Sequence, residues 1–273
     1  MAIKINRDGI QFKNFSIQNT ADGIYIDGTF TANGQFVDAT QAQGSVSGYT
    51  SGGGVSNPSP PPGTLTVDTI DKFPFATDTN ATDVGNLSQS RNTVTGQSSQ
   101  ENGYTSGGFD PGRLDTIDKY PFSSDTNATD VGNLTQTRSQ LAGHSSTISG
   151  YASGGFAPPQ TNVIDKFPFA VDTNATDVGD LTQARREVAG QSSTVSGYSS
   201  GGFAPPNVNT IDKFPFSIDI NAIDVGDLSQ ARIALIGQSS SISGYSSGGD
   251  ASGRANTIDK FPFASDNNAG DVG

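Results

Sequence analysis

The sequence predicts an all-β protein in which one structural unit is repeated along most of the chain. Two patterns with a period of 47 residues support this prediction. The hexapeptide Ile-Asp-Lys-aromatic-Pro-Phe begins at Ile70, Ile117, Ile164, Ile211 and Ile258. The pattern Gly-Tyr-x-Ser-Gly-Gly begins at Gly48, Gly103, Gly150, Gly197 and Gly244, and only its first interval is longer, by 8 residues. Such periods are typical of solenoids, propellers and arrays, and the helical period of about 3.6 residues is absent, which excludes helical solenoids.

Within each unit, four short segments alternate with turn signals. In the third full unit they are residues 188–195, 197–202, 210–216 and 222–228, which we call strands a, b, c and d. The c–d turn contains Asp219-Ile220-Asn221, in which Asp and Asn side chains can accept hydrogen bonds from the backbone ahead. Four-stranded units repeated in this way predict a β-propeller in which each unit is one blade.

The composition agrees with a fold made of many small sheets. Hydrophobic residues are only 32% of the 273-residue chain, and glycine occurs 34 times. A single large apolar core is therefore not expected, whereas small sheets that pack through Ser, Thr, Ala and Gly require less apolar volume. Charged residues are 15%, compared with about 25% in typical proteins. The predicted surface is rich in hydroxyls and amides, as on a particle exterior or an extracellular protein.

Charge and hydropathy exclude several classes of partner. The net charge is -12 and the chain has no basic stripe, so nucleic-acid binding is not expected. The sequence has no run of ~18 apolar residues, so no membrane insertion is predicted. The N-terminal residues carry no apolar run after their charges and do not form a secretory signal. If the protein reaches the outside of a cell, we expect release by lysis or assembly.

Ring closure has two open interpretations. Residues 41–49 align with 190–198, so the N-terminal part supplies a strand a, and the sequence stops at Gly273 during a strand d. In the first interpretation, residues 40–47 pair in the same sheet as residues 258–263 and close a ring of five blades. In the second, the chain is cut within a repeat, and missing blades would complete a larger ring.

The N-terminal residues form a separate region. Residues 3–6, 10–15 and 24–30 are predicted to be three short strands, with turns at Asp8-Gly9 and at residues 21–23. Three such strands cannot bury a core alone. We therefore divide the chain into a β-rich anchoring or assembly segment, residues 1–37, and a propeller, residues 38–273.

The chain offers little material for catalysis or metal binding. It has no cysteine, one histidine and two glutamates, so catalytic triads, zinc sites and paired-glutamate glycosidase centres are not expected. His144 replaces a glutamine found in other units, which indicates a structural role. The repeated Asp-x-Asn-x-x-Asp pattern, first seen at Asp78, lacks the spacing of a calcium loop and is interpreted as polar turns. We predict no enzyme activity, no metal and no cofactor.

An arginine also recurs every 47 residues, and each unit keeps an Asp-Lys pair after the isoleucine of strand c. The arginines are Arg91, Arg138, Arg185 and Arg232. We interpret both features as structural, with each arginine bound to a carboxylate or to carbonyls between blades. The alternative is that the arginines bind an acidic ligand at the ring centre.

The units differ most in the d–a and b–c connections, after the recurring arginine and after Gly-Gly. In an antiparallel blade these connections lie on one face, which we call the varied face, and the a–b and c–d turns lie on the opposite, uniform face. Variation on one face of a constant scaffold is typical of a recognition surface, although loops that drift freely would vary too. The candidate ligand-binding residues are Asn92, Arg113, Gln140, Arg186, Glu187, Asn207 and Arg254. Phe109, Phe156 and Phe203 are interpreted either as platforms for sugar rings or as packing between blades.

An apolar strand that ends in Gly-Gly, a variable loop, two further strands and a recurring arginine resemble the Kelch propeller repeat. The resemblance covers residues 40–273 and implies four-stranded Kelch-like blades. The chain departs from this repeat in having no tryptophan. Near the expected tryptophan position the units carry Leu87, Leu134, Leu181 and Leu228.

Nearly identical Gly/Ser/Thr-rich blades and a β-rich N-terminal segment are similar to virion proteins of tailed bacteriophages. Residues 1–6 and 28–34 also resemble attachment ends of fibre or decoration proteins. This resemblance implies a non-enzymatic structural protein on the virion surface or tail. Its implied partners are other virion proteins through residues 1–37, further copies of itself, and a host-surface glycan or receptor. The alternative is an intracellular Kelch-type adaptor that binds a peptide on the varied face.

Overall fold

The structure, a computed structural model, describes residues 46–57 and 63–273 and, in the N-terminal part, residues 16–20, 23–27, 31–32 and 34–35. The chain divides into two compact units, Met1–Ala39 and Thr40–Gly273. Every regular secondary-structure element in this described part is a β-strand, which confirms the predicted all-β class.

The first unit contains two short antiparallel hairpins. In one, β1 (Ser16–Thr20) pairs with β2 (Gly23–Asp27), and Thr20 lies opposite Gly23. In the other, β3 (Thr31–Ala32) pairs with β4 (Gly34–Gln35). Strand β2 overlaps the third predicted strand at residues 24–27, and residues 28–30 of that prediction lie outside the described residues. The predicted strands at residues 3–6 and 10–15 lie outside the described residues.

The second unit consists of five antiparallel sheets, which are the five blades of a β-propeller. The first blade has three strands in the described part: β5 (Ser47–Asn57), β6 (Gly63–Pro74) and β7 (Thr82–Asn86). The second blade contains β8 (Thr95–Ser98), β9 (Asn102–Ser106), β10 (Thr116–Pro121) and β11 (Thr129–Asn133). The third contains β12 (Ala142–Ser145), β13 (Ser149–Ser153), β14 (Val163–Pro168) and β15 (Thr176–Asp180). The fourth contains β16 (Ala189–Ser192), β17 (Ser196–Ser200), β18 (Thr210–Pro215) and β19 (Ile223–Asp227). The fifth contains β20 (Ile236–Ser239), β21 (Ser243–Ser247), β22 (Ile258–Pro262) and β23 (Gly270–Asp271).

At Ser47, the strand pairing contradicts the expectation that residues 40–47 pair in the last blade. The fifth blade is built from its own strands β20 to β23. Ser47 instead begins β5 and pairs with Pro74 of the first blade. The reason is register: Ser47 lies opposite Pro74 as Ser149 lies opposite Pro168 in the third blade, so β5 is a normal strand b. Residues 40–45 of this expectation lie outside the described residues.

The outer sides of the first and fifth blades do not cover each other. Phe73 of the first blade is 36% exposed, whereas its four counterparts in the other blades are at most 7% exposed. Ile236 of the fifth blade is 68% exposed, whereas Ala142 and Ala189 at the same repeat position are 2% exposed. Both ends of the blade array therefore present surface that the interior blades bury.

The hydrophobic core is divided among the interfaces between blades. Tyr104 of the second blade stacks on Phe169 of the third, with ring centroids 4.9 Å apart, and lies tilted on Phe167 at 5.4 Å. Ile117 and Leu134 join the same cluster. Equivalent small clusters recur at the neighbouring interfaces. Because each cluster needs only a few apolar side chains, a chain with 32% hydrophobic residues can fill all of them.

Glycine permits the innermost strands to approach each other. A Cβ atom on Gly190 would lie 2.3 Å from the carbonyl oxygen of Gly143, and one on Gly143 would lie 2.3 Å from that of Gly96. Real Cβ atoms do not tolerate such distances, so any other residue would force the blades apart. The repeated glycine of strand a thus sets the spacing of the blades near the axis.

A buried ion pair connects the d–a loop to strand c of the following blade. Arg138 Nη2 donates to Asp165 Oδ2 at 2.9 Å and to the carbonyl oxygen of Ala152 at 3.0 Å, and both side chains are fully buried. Burial lowers the pKa of Arg138, and the charge of Asp165 opposes this shift. The same pair recurs as Arg91–Asp118, Arg185–Asp212 and Arg232–Asp259. The recurring arginine is structural, as we interpreted it.

Candidate functional site

The backbone brings the d–a and b–c loops together on one face, as antiparallel blades require. Arg186, which follows the buried Arg185, forms a bridge with Phe203, and Phe203 forms a second bridge with Asn207. Similar pairs of bridges occur at Asn92–Phe109–Arg113, Ser139–Phe156–Gln160 and Ile233–Asp250–Arg254. In the second to fifth blades, single bridges therefore join the d–a loop to the b–c loop on the varied face, and the side chains at these bridges are ones that differ between units.

Arginine and phenylalanine side chains alternate across the middle of the varied face. We call this row the ladder; it consists of Phe109, Arg113, Phe156, Arg186 and Phe203. The Arg113 guanidinium carbon lies 4.2 Å from the centre of the Phe156 ring and 5.8 Å from that of Phe109. The Arg186 guanidinium carbon lies 4.9 Å from Phe156 and 5.0 Å from Phe203. Phe156 thus contacts a guanidinium from each of two blades. Cation–π contacts of this kind hold the two arginines in place.

The charges of Arg113 and Arg186 are less compensated than those of the structural arginines. The carboxylate nearest Arg186 is Glu187, whose Oε1 lies 3.8 Å from Arg186 Nε. In the described residues the buried Nε atoms of both arginines have no hydrogen-bond partner. Among the described residues Arg113 has no carboxylate within ion-pair distance and Arg186 has only this long contact, so the aromatic rings fix two side chains whose positive charge is at most partly compensated.

Gln140 and Glu187 lie next to this ladder and contact each other. Gln140 Nε2 donates to Glu187 Oε1 at 3.1 Å, and the Glu187 backbone N donates to the Gln140 carbonyl at 2.8 Å. Both have positive φ, as do Thr93 and Ala234 at the same repeat position. Because four different residue types adopt this conformation, the loop geometry requires it, at a cost of about 1–3 kcal/mol each. The side chain at this position is free to vary.

The remaining candidate residues lie in other blades' loops. Asn207 Nδ2 is 3.4 Å from the Ala251 carbonyl and connects two adjacent b–c loops. Arg254 is exposed and lines a shallow polar depression with Gln230. Asn92 accepts a hydrogen bond from Thr93. The structure therefore groups Arg113, Arg186, Gln140 and Glu187, and it places Asn92, Asn207 and Arg254 in separate loops of the same face. Ligand binding by these seven residues stays a prediction.

The phenylalanines pack against arginines of the varied face, and their use as platforms for sugar rings stays a prediction. Phe156 and Phe203 are partly buried beneath guanidinium groups. Phe109 is 37% exposed, so one edge of the ladder ends in an accessible aromatic ring.

Sequence reasoning missed a polar cluster next to Phe109. Asp110 Oδ2 accepts hydrogen bonds from Thr66 Oγ1 and Ser90 Oγ, each at 2.7 Å. These hydrogen bonds, that of Ser90 first, lower the pKa of Asp110. The sequence did contain a signal for this cluster, because Asp110 stands where the other b–c loops have Ala157, Ala204 or Ala251.

The oxygen-rich turns of the uniform face serve the scaffold. Asp125 binds Lys72 of the preceding blade at 2.9 Å, and Asn127 Oδ1 accepts a hydrogen bond from the Asn86 backbone at 3.1 Å. Asp130 Oδ1 accepts one from the Gly132 backbone. These contacts agree with the interpretation as polar turns. In the part of the chain that the structure describes, no group of three or more His, Cys, Asp or Glu side chains is placed to hold a metal ion.

The uniform face also carries an apolar row that sequence analysis did not single out. Ile148, Val195 and Ile242 occupy the same position of successive a–b turns and are 66–71% exposed. Ile218 and Ile223 add exposed apolar surface in and after a c–d turn. This row is the main alternative surface for contact with another molecule.

His144 is fully enclosed by neighbouring blades. Its Nε2 lies 2.8 Å from Ser153 Oγ and its Nδ1 lies 3.1 Å from the Gln191 carbonyl. Burial lowers its pKa to about 4. The imidazole is therefore neutral at pH 7 and linked to protein groups on both sides, in agreement with a structural role.

No family model matches this chain, and no curated protein matches it. Among the described residues, no helix is long and apolar enough to span a membrane.

Proposed function

We propose that this protein is a non-enzymatic virion protein of a tailed bacteriophage, of the tail-fibre or capsid-decoration type. In this proposal its Kelch-like propeller presents the varied face to an acidic glycan on the host surface. Residues 1–37 attach the chain to other virion proteins.

The contrast between the two faces of the blades carries this proposal. Scaffold contacts such as Arg138–Asp165 are repeated in blade after blade. Residue identity changes mainly on the varied face, where Arg113 and Arg186 alternate with phenylalanines. A local positive surface on a chain of net charge -12 attracts an anionic ligand that the rest of the molecule repels.

The chemistry of the ladder fits an acidic carbohydrate. A planar guanidinium matches the geometry of carboxylate and sulfate groups. The exposed edge at Phe109 offers an apolar surface to a sugar ring, and the amides of Gln140 and Asn207 can bind hydroxyls. A host glycan with carboxylate or sulfate groups would use all three kinds of contact.

The absence of activity is proposed from the side chains that the scaffold already uses. His144 is buried and neutral at pH 7. Asp118 and its equivalents pair with the buried arginines. A recognition role does not require these groups to be free for proton transfer. An acid–base mechanism, in contrast, would need a unique titratable pair within reach of substrate.

The virion assignment rests on the resemblance of the repeats and of residues 1–6 and 28–34 to phage fibre and decoration proteins. The alternative, an intracellular Kelch-type adaptor, would bind an acidic peptide on the same varied face. Immunogold labelling of the source particle separates the two: label on the particle supports the virion protein, and label confined to the host cytoplasm supports the adaptor.

A binding experiment with paired variants tests the recognition face. Arg113→Gln and Arg186→Gln keep a planar group against the phenylalanine rings and remove the charge. We expect the double variant to bind acidic glycans on an array at least tenfold more weakly, since each charge-assisted hydrogen bond contributes about 1.5–3 kcal/mol. Its melting temperature should be unchanged.

The control is Thr176→Ala at an exposed position of the uniform face, where the next blade has Ile223. This variant should bind normally. Full binding by the double arginine variant, or loss of binding by Thr176→Ala, would place recognition elsewhere.

A further inference from the structure

The two ends of the blade array are complementary to each other. Each interior interface joins the tyrosine side of one blade to the phenylalanine side of the next. We define the tail face as the outer side of the fifth blade, with Ile236, Gln238, Tyr245 and Lys260, and the head face as the outer side of the first blade, with Phe73, Phe75, Asp78 and Asn80. Four of these residues are apolar or aromatic, and they are the residues that interior interfaces bury.

The aromatic contact repeats with little variation at every interior interface. The tyrosine stacks on the second phenylalanine of the hexapeptide with centroids 4.9 Å apart and ring planes 22–24° apart. Tyr104, Tyr151 and Tyr198 are 2% exposed as a result. Tyr245 is only half-buried, and at the other end Phe75 is 57% exposed. On the tail face, Tyr245 therefore has no pair of phenylalanines from a following blade, and on the head face Phe73 and Phe75 have no tyrosine from a preceding blade.

Charge complementarity follows the same direction. At every interior interface the lysine of one blade binds the aspartate in the c–d turn of the next at 2.6–2.9 Å. The asparagine two residues after that aspartate accepts a backbone hydrogen bond from the preceding blade at 3.0–3.1 Å. Lys260 on the tail face and Asp78 with Asn80 on the head face are the corresponding groups, and all three are exposed.

We propose that the tail face of one copy of this chain binds the head face of a second copy, through the contact that joins successive blades. The occupant is a second copy because both faces are exposed in the described residues and because each face presents the groups that the other would bind at an interior interface. Head-to-tail contacts between identical chains build rings or filaments, so this contact would assemble copies into a continuous array of blades.

Two single substitutions at exposed residues block one face each. Phe75→Glu places a charge where Tyr245 would stack. Ile236→Glu places a charge at a position that is only 2% exposed in the third and fourth blades, where Ala142 and Ala189 occupy it and another blade follows. Because Phe75 and Ile236 are 57% and 68% exposed, both variants should fold with the wild-type melting temperature.

Sedimentation velocity and native mass spectrometry on the full 273-residue chain then test the contact. We expect the wild type to self-associate with increasing concentration, and we expect each variant alone to lose that association completely. An equimolar mixture of the two variants should form a one-to-one dimer, since each retains the face that the other lacks. The charge control Thr176→Glu, on neither end face, should associate as the wild type does.

Cross-linking establishes which residues of the two faces lie close together. It also distinguishes contact with a second copy from closure within one chain. The chain has no cysteine, so Lys260→Cys and Asp78→Cys each introduce a single thiol. A short bis-maleimide should link the two variants to each other in a mixture and neither to itself. A wild type that stays monomeric and a variant mixture that forms no dimer would overturn the proposal. A Lys260→Cys/Asp78→Cys double variant that cross-links only within one chain would show closure instead and would overturn it as well.

Discussion

At the residue scale, one scaffold position takes a titratable side chain in a single blade. His144 occupies the place of Gln97, Gln191 and Gln238, and burial lowers its pKa to about 4 from an ordinary value of 6.5. Between these two pH values the unfolded chain binds a proton that the folded chain excludes. Stability contributed by His144 is therefore complete above pH 6.5 and is lost as the pH falls towards 4.

Replacing His144 by the glutamine of the other blades should remove this dependence. We expect the free energy of unfolding of the wild type to fall, relative to His144→Gln, by up to about 3 kcal/mol between pH 6.5 and pH 4. Urea denaturation at several pH values measures this difference. Parallel pH profiles for the two proteins would contradict the enclosed, neutral histidine.

A second residue-scale difference concerns the buried aspartates. Thr135 and Thr182 donate their hydroxyls to the Oδ1 atoms of Asp165 and Asp212, each at 2.6 Å. Ser88 donates only its backbone N–H to Asp118, whose Oδ1 is buried without a partner. The threonine methyl group fixes the rotamer that reaches the carboxylate.

Ser88→Thr should therefore stabilise the second blade. We expect about 1 kcal/mol of additional unfolding free energy from one satisfied buried acceptor. Chemical denaturation is the measurement, with Thr135→Ser as the reverse variant, which should lose a similar amount. Equal stability of Ser88→Thr and wild type would show that a water molecule already satisfies Asp118 Oδ1.

At the element scale, the spacing of the innermost strands depends on glycine. In Gly190→Ala the new methyl group would meet the backbone of Gly143, which cannot move without separating two blades. We expect a loss of more than about 2 kcal/mol in the free energy of unfolding, typical of overpacking. Gly112→Ala, in a loop with no atom within 4 Å of the added carbon, is the control and should be nearly neutral. Thermal unfolding that is the same for both variants would refute this role for the inner strands.

The sequence also predicted individual strands of the blades correctly. The predicted segment 210–216 matches β18 (Thr210–Pro215), because Ile-Asp-Lys-Phe-Pro-Phe is a short segment rich in apolar residues between strong turn signals. The division into varied and uniform faces followed from strand direction alone. The arginine–phenylalanine ladder was not predicted, because the contact of Arg113 with Phe156 depends on the distance between two blades and not on local sequence.

At the scale of the whole molecule, the repeat predicts how blades contact each other but not how the array ends. Closure by residues 40–47 was expected from an alignment of strand a, and it was wrong for Ser47, which pairs in the first blade. A repeat defines identical interfaces at every position, so it cannot distinguish a closed ring from an array with two open ends. The exposure of Phe73 and Ile236 shows that the outer sides of the first and fifth blades are uncovered, and this exposure can be seen only in the structure.

The central claim is that ligand recognition belongs to the varied face of the propeller. Hydrogen–deuterium exchange of the whole chain, with and without an acidic glycan selected on the array, tests it most directly. We predict slower exchange in residues 109–114, 139–141, 156–161 and 186–188, around Arg113, Gln140, Phe156 and Arg186. Exchange in the a–b and c–d turns, including residues 146–149 and 171–175, should be unchanged. Protection confined to those turns, with none around Arg113 and Arg186, would contradict the account and move recognition to the apolar row of the uniform face.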